Sequence, residues 1–325
     1  MLSSEDQQAV LAWYDANQRD LPWRATSDPW AILLSEVLLQ QTQVSRGLMY
    51  WERMIEIFPD IASMARAPVD AVLKAWEGAG YYSRARRLHA LSQQVMLPKG
   101  EDGFDGALPS SREALLALPG IGPYTAAAVA SIAFGQPVAC VDGNIRRVMA
   151  RTTATSSPSP GMVEAWANAA LEVERPGDWN QALMELGATV CTPKRVKCDA
   201  CPLKDACKGR ESPERYPQPS LQRTKAMLLT ALVSFDSEGR PCLIQRPMEG
   251  MFAGLWGPPY REGHVEVDGF SDAGTVKHAL SHRKITVRVL VGALPTDLDG
   301  VDRRMVAISA MDEKVLRCAA EFASA

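Results

Sequence analysis

Two carboxylates lie in sequence settings that suit acid–base chemistry. Glu36 lies in AILLSEVLL, where Ser35 is the only other polar residue. A carboxyl group among apolar neighbours keeps its proton to a higher pH, as a general acid at neutral pH must. Asp142 lies in VDGN, at the mouth of a predicted helix. Structural alternatives stay open, because Glu36 could face water on a stripe with Gln40 and Gln43, and Asp142 could simply cap a helix.

A second candidate site is a group of thiols. Four of the seven cysteines crowd together with the spacing C-x6-C-x2-C-x5-C: Cys191, Cys198, Cys201 and Cys207. In a compact loop, four soft thiolates match a tetrahedral zinc ion or a 4Fe–4S cluster. Structural zinc usually uses two C-x2-C pairs, and this loop has one. We expect a metal site here rather than a disulfide framework.

A third pattern is a glycine pair in front of a helix. Gly120 and Gly122 flank Ile121, and a helix rich in alanine is predicted from about Pro123 to Phe134. Glycines at this place suit a hairpin whose backbone N–H groups approach a phosphate. An ordinary helical hairpin with glycine caps is the alternative.

Glycines, tyrosines and arginines are combined in GAGYYSRAR, residues 78–86. The glycines leave room around the backbone, Tyr81 and Tyr82 supply flat rings, and Arg84 and Arg86 supply partners for phosphate. This combination suits intercalation into a duplex. A buried tyrosine at a helix start is the alternative.

Helices and strands that must position these residues divide the chain into two regions. The 325 residues suggest about two domains. Helical periodicity fills residues 1–210, 211–222 are rich in proline and polar residues and are predicted to be a linker, and 223–325 have an α+β pattern. The second region begins with strand-like MLLTALVSF and ends with a predicted helix over 313–322.

Composition sets the broad class. A formal net charge of −3 does not by itself indicate nucleic-acid binding. Local clusters of lysine and arginine are the charge pattern that could indicate it, although such a cluster is more often a solvated face. No apolar run approaches the length of a membrane span, and the first residues lack a signal-peptide pattern. We expect a cytosolic protein.

Taken together, these motifs resemble those of the adenine DNA glycosylase (MutY) family, in the helix-hairpin-helix superfamily that includes endonuclease III. The resemblance implies a mainly α glycosylase domain over 1–210, with a 4Fe–4S loop over 191–207, and a Nudix-like domain over 223–325 that recognises oxoguanine. It also implies a monomer, associated with the nucleoid, whose partner is double-stranded DNA with adenine opposite oxoguanine or guanine, and which flips the adenine out.

Catalytic roles come from the same resemblance. Glu36 matches the position that protonates adenine, and Asp142 matches the carboxylate that stabilises the oxocarbenium-like sugar. Tyr124 and Asn144 match supporting positions around Asp142. Endonuclease III has a lysine where this chain has Tyr124, and that lysine forms a Schiff base with the sugar. The sequence therefore predicts a monofunctional glycosylase.

Substrate contacts are also implied by the resemblance. The residues matched to DNA or base contacts are Arg24 and Gln181 for the flipped adenine, Gln41 and Tyr81 as wedges in the duplex, Gly120 and Gly122 for phosphate, and Ser281 and His282 for oxoguanine. Leu280 stands where the family usually has phenylalanine. After Glu262 the chain lacks the glutamates that hold metal in Nudix hydrolases, so recognition rather than hydrolysis is expected.

Alternatives are retained at this stage. A thymine-mismatch glycosylase, which also has tyrosine at the Tyr124 position, or an endonuclease III-like enzyme would share the first domain. A non-catalytic Fe–S protein that binds damaged DNA would not need Glu36 or Asp142 for its phenotype. An electron-transfer protein would need little more than the cysteines.

Overall fold

The computed structural model describes residues 2–219, 224–294 and 298–324. By their contacts the residues form two compact units. The first is Met1–Ala65 with Ala90–Ser220, and the second is Arg66–His89 with Leu221–Ala325.

The helices and strands follow the sequence pattern closely. Within the described residues the α-helices are α1 Ser4–Asn17, α2 Pro29–Leu38, α3 Val44–Ile57, α4 Ile61–Arg66, α5 Val69–Ala75, α6 Ser83–Met96, α7 Arg112–Leu116, α8 Pro123–Phe134, α9 Gly143–Thr152, α10 Pro160–Ala169, α11 Pro176–Thr189 and α12 Ala310–Ala323. The strands are β1 Lys225–Val233, β2 Ile244–Gln245, β3 Trp256–Gly257, β4 Tyr260–Glu262, β5 Phe270–Leu280 and β6 Arg283–Gly292. None of these helices combines the length and apolar character needed to cross a membrane.

The first unit is built around α8. Its residues 125–131 are all buried, and they include four alanines whose small side chains allow neighbouring helices to come close. Helices α2, α7 and α11 pack against it. Pro123 occupies the first turn of α8, where a missing N–H costs little. The alanine-rich helix predicted from about Pro123 to Phe134 is confirmed.

One helix is shorter than the sequence pattern indicates. A single helical stripe of Glu36, Gln40 and Gln43 requires α2 to continue through Gln43. Instead, α2 ends at Leu38 and a loop separates it from α3. Gln40 therefore lies in the loop, and Gln43 is the residue that precedes α3. The interpretation of Glu36, Gln40 and Gln43 as one helical stripe was wrong.

The second unit contains a four-stranded sheet in the order β4-β1-β6-β5. Strands β1 and β6 are parallel, and the other two pairs are antiparallel. Helix α12 packs against β1, β5 and β6, and Val287, Val289 and Val315 lie in the shared core. The α+β character predicted for this region is confirmed, although strand β5 was not predicted.

Segment 66–89 belongs by its contacts to the second unit, whereas the predicted domain boundary assigned it to the first. Lys74 Nζ donates to the carbonyl oxygen of Val306 at 2.9 Å, and Tyr82 Oη donates to that of Ile308 at 3.2 Å. Within the predicted linker, the backbone N–H of Gln218 donates to the carbonyl oxygen of Ser156 at 2.8 Å. Residues 220–223 lie outside the described residues, so the domain limits stay a prediction.

Candidate functional site

One cleft of the first unit, of about 620 Å³, gathers seven of the predicted site residues. We call it the Glu36 cleft, and the seven are Arg24, Glu36, Gln41, Tyr124, Asp142, Asn144 and Gln181. They come from positions as far apart in the chain as Arg24 and Gln181, so the tertiary fold assembles them. All four residues predicted to be catalytic lie in this set.

Glu36 is almost fully enclosed, with 8% of the residue exposed. It lies on α2, whose start is fixed by Asp28, since the Asp28 carboxylate accepts from Trp30 N at 3.1 Å. Tyr124 Oη, in the first turn of α8, donates to Glu36 Oε2 at 2.7 Å. Burial raises the pKa of Glu36 to about 7, with the hydrogen bond from Tyr124 acting in the opposite direction. The carboxyl group can therefore donate a proton near neutral pH.

Asp142 caps α9 and has its own donors. Its Oδ1 accepts from Ile145 N and its Oδ2 from Asn144 Nδ2, both at 2.7 Å. Burial raises the pKa of Asp142 above its usual value, while these hydrogen bonds lower it. Two N–H donors stabilise the carboxylate form, whereas the single donor on Glu36 is a hydroxyl. Asp142 therefore both caps α9 and lines the Glu36 cleft.

Asn144 is itself held by an arginine. Arg147 Nη2 donates to Asn144 Oδ1 at 2.8 Å and to the carbonyl oxygen of Gly187 at 2.7 Å. Gly187 lets α11 approach α9 this closely, because a Cβ there would stand 2.5 Å from the Cβ of Asn144. Arg147 Nε also donates to the carbonyl oxygen of Cys191 at 2.8 Å. One side chain thus joins the Asp142 cap to the start of the cysteine loop.

Arg24 is positioned by a buried ion cluster. Glu185, on α11, accepts from Arg24 Nη2 at 2.7 Å and from Arg19 Nε at 2.6 Å, and its side chain has no exposed surface. Burial would raise the pKa of Glu185, but the hydrogen bonds from the two arginines lower it below its usual value. Among the described residues Arg24 Nε is buried and has no hydrogen-bond partner. Arg24 thus lines the cleft with its guanidinium held by Glu185 and stacked 5.5 Å from the Tyr14 ring centroid.

Sequence reasoning missed the residues that hold the predicted ones in place. Arg19, Arg147, Met184 and Glu185 all line the cleft and contact predicted residues. The signal available was weak: Glu185 lies one turn beyond Gln181 on α11, which places both on one helix face.

The second unit brings together two predicted residues of a different kind. Tyr81 Oη is hydrogen-bonded to Ser281 Oγ. Ser281 and His282 form the turn between β5 and β6, and both are exposed. We call Tyr81, Ser281 and His282 the Tyr81 corner.

The two adjacent tyrosines have opposite environments. Tyr81 is 43% exposed, and its φ of 48° lies in the left-handed region that a residue with a Cβ rarely adopts. Tyr82 is buried, so the alternative of a buried tyrosine holds for Tyr82 alone. Gln41 in the first unit has φ 57°, so both predicted wedge residues are backbone outliers. Such strain is concentrated at functional sites.

Two arginines of the predicted basic clusters do not face solvent. Arg84 is buried, with its guanidinium 5.4 Å from the Trp76 ring centroid and 5.3 Å from that of Tyr81. Arg151 is also buried, and its Nη1 lies 3.3 Å from Cys191 Sγ. The interpretation of Arg84 as a phosphate partner was wrong, because protein groups enclose its guanidinium.

The four cysteines of the loop line one small cavity, together with Arg151, Lys204 and Arg210. No group of three or more His, Cys, Asp or Glu side chains within the described ranges is arranged to hold a metal ion. A single zinc ion needs its thiolates about 2.3 Å from one centre. A cluster of four irons and four sulfides is larger, and its thiolates stand farther apart. Four thiolate donors around one cavity, with the buried Arg151 cation beside them, fit a negatively charged metal–thiolate group.

The glycine pair lies in the turn between α7 and α8, and its predicted approach to phosphate stays a prediction. Gly120 has φ 80°, which a side chain would disfavour, and Gly122 immediately precedes α8. A Cβ at Gly122 would meet no atom within 4 Å, so its surroundings are open. Neither glycine lines the Glu36 cleft.

Comparison with known families and proteins identifies the first unit's fold. Residues 34–172 match the HhH-GPD superfamily base excision DNA repair proteins. A solved structure of a thermostable thymine-DNA glycosylase is similar with a TM-score of 0.57 and 29% identity, covering 63% of this chain and 94% of that one. The predicted helix-hairpin-helix glycosylase fold is confirmed.

Curated relatives extend the similarity further along the chain. An adenine DNA glycosylase of Homo sapiens is 42% identical over 221 residues, which are 64% of this chain and 40% of that protein. One of Rattus norvegicus is 32% identical over an alignment of 399 residues, covering 95% of this chain and 76% of that protein. The chain therefore spans less than half the length of the human relative but most of the rat relative.

Proposed function

The chain belongs to the adenine DNA glycosylase family, and from that premise we propose that it hydrolyses the N-glycosidic bond of adenine mispaired with oxoguanine or guanine in DNA. The observation that carries the proposal is the meeting of Glu36 and Asp142 in one cleft, with different hydrogen-bond donors. Glycosidic cleavage needs such a pair, one carboxyl group to protonate the leaving group and one to stabilise positive charge.

Glu36 is the general acid of this proposal. Its proton passes to the adenine, and the leaving base takes the electron pair of the glycosidic bond. A pKa raised to about 7 by burial keeps this proton available for donation near neutral pH. Glu36, then a carboxylate, accepts a proton from the water that attacks the sugar.

Asp142 stabilises the oxocarbenium-like sugar as charge develops. Preorganised charge in a site shielded from water is more effective than in solution, because no solvent has to reorganise. Asn144 and Arg147 keep the carboxylate in position. Tyr124 is hydrogen-bonded to Oε2 of Glu36 and keeps the carboxyl group in position.

Arg24 and Gln181 contact the flipped base. Both residues line the Glu36 cleft, and an arginine N–H and a glutamine amide can hydrogen-bond to purine ring nitrogens. Glu185 keeps the guanidinium in the wall of the cleft. Flipping is assisted by Gln41 and Tyr81, which fill space in the duplex as wedges.

Tyr124 makes the enzyme monofunctional. A phenol has no amine with which to form a Schiff base with the sugar, so no covalent intermediate leads to strand cleavage. Abasic sites are therefore the product. The thymine-DNA glycosylase similarity supports thymine opposite guanine as the second candidate substrate.

Ser281 and His282 read the oxidised guanine from the exposed turn between β5 and β6. Their hydroxyl and imidazole offer hydrogen bonds that distinguish oxoguanine from guanine. Leu280 at the end of β5 packs against the core of the second unit. We propose a Nudix-like domain here that recognises the lesion and does not hydrolyse nucleotides.

Cys191, Cys198, Cys201 and Cys207 hold a 4Fe–4S cluster, which when bound supplies a rigid core for their loop. The loop then presents a row of exposed basic residues to phosphate: Lys194, Arg195, Lys197, Lys204 and Lys208. Gly120 and Gly122 add backbone N–H groups at the start of α8. We propose a monomer acting on double-stranded DNA in the cytosol at the nucleoid.

The test is base release from three duplexes, with adenine opposite oxoguanine, adenine opposite guanine and thymine opposite guanine, each analysed with and without alkali. Adenine release with strand breaks only after alkali is expected. Thymine release would assign the chain to the second candidate. Release from none of them, with binding intact, would leave a damage-binding protein and overturn the proposal.

A further inference from the structure

Tyr124 has two possible hydrogen-bond acceptors in the Glu36 cleft. Its Oη lies 2.7 Å from Glu36 Oε2 and 3.1 Å from Met184 Sδ. A phenol has one proton to donate, and its oxygen can also accept a hydrogen bond. The two acceptors therefore compete for one proton.

The outcome of this competition depends on the charge of Glu36. An ionised carboxylate is a strong acceptor and draws the Tyr124 proton, whereas a thioether is a weak one. When Glu36 carries its proton on Oε2, its O–H can donate to Tyr124 Oη. The Tyr124 O–H must then turn to another acceptor, and Met184 Sδ is within reach.

We propose that Met184 is a positioning residue whose thioether accepts the hydrogen bond of the Tyr124 hydroxyl when Glu36 carries its proton on Oε2, and so stabilises the acid form of Glu36. This inference rests on the proposed role of Glu36 as general acid. The Tyr124 hydroxyl hydrogen changes its acceptor by rotation about the C–O bond. No covalent bond forms or breaks in this rotation. Removing the thioether would leave Glu36 as the only acceptor and would favour the carboxylate.

Other groups around Glu36 must stay constant for the test to be clear. The titratable and charged groups that face Glu36 or line the cleft with it are Tyr124 on α8, Cys140 and Asp142 before α9, Arg147 on α9, Glu185 on α11, and Arg19 and Arg24 near the first 3-10 turn. Met184→Leu changes no charge among them, and leucine has a similar volume.

The experiment measures single-turnover adenine release by the full chain across the neutral pH range. Wild-type release should fall as pH rises through the pKa of Glu36, about 7. We call this fall the alkaline limb of the pH–rate profile. Met184→Leu should move it to lower pH by about half a unit, because losing the arrangement that favours the neutral form lowers the pKa of Glu36. Met149→Leu is the matched control, because Met149 is buried in the same core but does not line the cleft, and its limb should not move.

Tyr124→Phe makes the test specific to the hydroxyl. It should move the limb to higher pH, because the Tyr124 hydrogen bond lowers the pKa of Glu36. Met184→Leu added to Tyr124→Phe should then cause no further shift. The inference would be overturned if Met184→Leu left the alkaline limb in place, or if it shifted the limb equally in wild type and in Tyr124→Phe.

Failure of this inference is distinguishable from failure of the proposed function. If Glu36→Gln leaves both the rate and the limb unchanged, Glu36 is not the acid and the proposed function loses its mechanism. If Glu36→Gln abolishes release while Met184→Leu has no effect on the limb, only the role of Met184 is lost. If Tyr124→Phe releases too little adenine to measure, carbon-13 NMR follows the titration of the Glu36 carboxyl directly. The signal is assigned by its absence in Glu36→Gln, and this measurement does not depend on catalytic activity.

Discussion

The Glu36 cleft and the Tyr81 corner place polar side chains in opposite environments. Glu36 and Glu185 are buried and bound to protein donors, whereas Ser281 and His282 are exposed at a strand turn. Burial changes the protonation of a group, and exposure leaves its hydrogen bonds available to a partner. Under the proposed function, this difference matches bond cleavage in the first unit and recognition in the second.

A further contrast is how each region fixes its side chains. The cleft uses ion pairs and hydrogen bonds, such as those of Glu185 with Arg19 and Arg24. The Tyr81 corner uses backbone geometry, with φ 48° at Tyr81 and φ 75° at Gly80. Substitutions should therefore affect reaction rate and pH dependence in the cleft, but affinity and discrimination at the corner.

The largest effect is expected from removing either carboxylate. Glu36→Gln and Asp142→Asn should each lower single-turnover adenine release by at least about a hundredfold, because a positioned acid contributes about that much and so does a preorganised group that stabilises developing charge. DNA affinity, measured by fluorescence anisotropy, should be retained. Glu164→Gln, an exposed glutamate of the same unit, is the control. Full activity in both carboxylate variants would remove the assignment of chemistry to the cleft.

Next in size is the effect of Glu36 on stability. Its pKa rises from 4.5 to about 7 on folding, so the folded state binds the proton more tightly than the unfolded state. The resulting destabilisation is absent below pH 4.5, grows as pH rises, and is complete above about 7. A shift of this size corresponds to about 3 kcal/mol. Glu36→Gln should therefore raise the free energy of unfolding by up to that amount at alkaline pH and little at acid pH.

Denaturant unfolding of wild type and Glu36→Gln at acid and alkaline pH checks this expectation. Glu164→Gln should show no such pH-dependent gain. An equal effect of Glu36→Gln at both pH values would mean that burial does not perturb Glu36.

At the Tyr81 corner a smaller loss is expected. Tyr81→Ala should weaken binding to DNA containing oxoguanine by about tenfold to a hundredfold, since stacking of an aromatic ring on a base contributes about 1–3 kcal/mol. Tyr81→Phe keeps the ring but loses the hydroxyl that meets Ser281, so it should lose discrimination between oxoguanine and guanine more than overall affinity. The alkaline limb of the rate should not move in either variant, and a limb that moves would break the contrast between the two regions.

The smallest effect should come from the cysteine loop. Lys204→Ala should reduce the slope of log affinity against log salt by about 0.9, as expected for one lost phosphate contact. Lys99→Ala, exposed outside the loop, should leave the slope unchanged. Equal slopes for Lys204→Ala and wild type would place the loop away from the phosphate backbone.

Point substitutions suit these tests better than truncation. Segment 66–89 makes hydrogen bonds within the second unit, including those of Lys74 and Tyr82. A chain cut near the predicted linker would strip this segment of its partners and leave buried Tyr82 exposed.

Several features were determined by the sequence alone. The apolar run around Glu36 indicated a carboxyl group among apolar neighbours, and Glu36 is buried; the spacing of the four cysteines predicted one compact loop, and they line one cavity. Local patterns suffice here, because helix periodicity and short chain separation restrict where a side chain can lie.

Only the tertiary structure decided the rest. Arg151 looks like a surface cation in the sequence, yet the carbonyl groups of Thr192 and Pro213, distant in the chain, accept its hydrogen bonds and it is buried. Likewise, Met184 has no chemical signal of its own until α11 brings it within 3.1 Å of Tyr124 Oη. Sequence patterns report a residue's own preference for water, whereas its partners are chosen by helices and strands that meet only after the chain has folded.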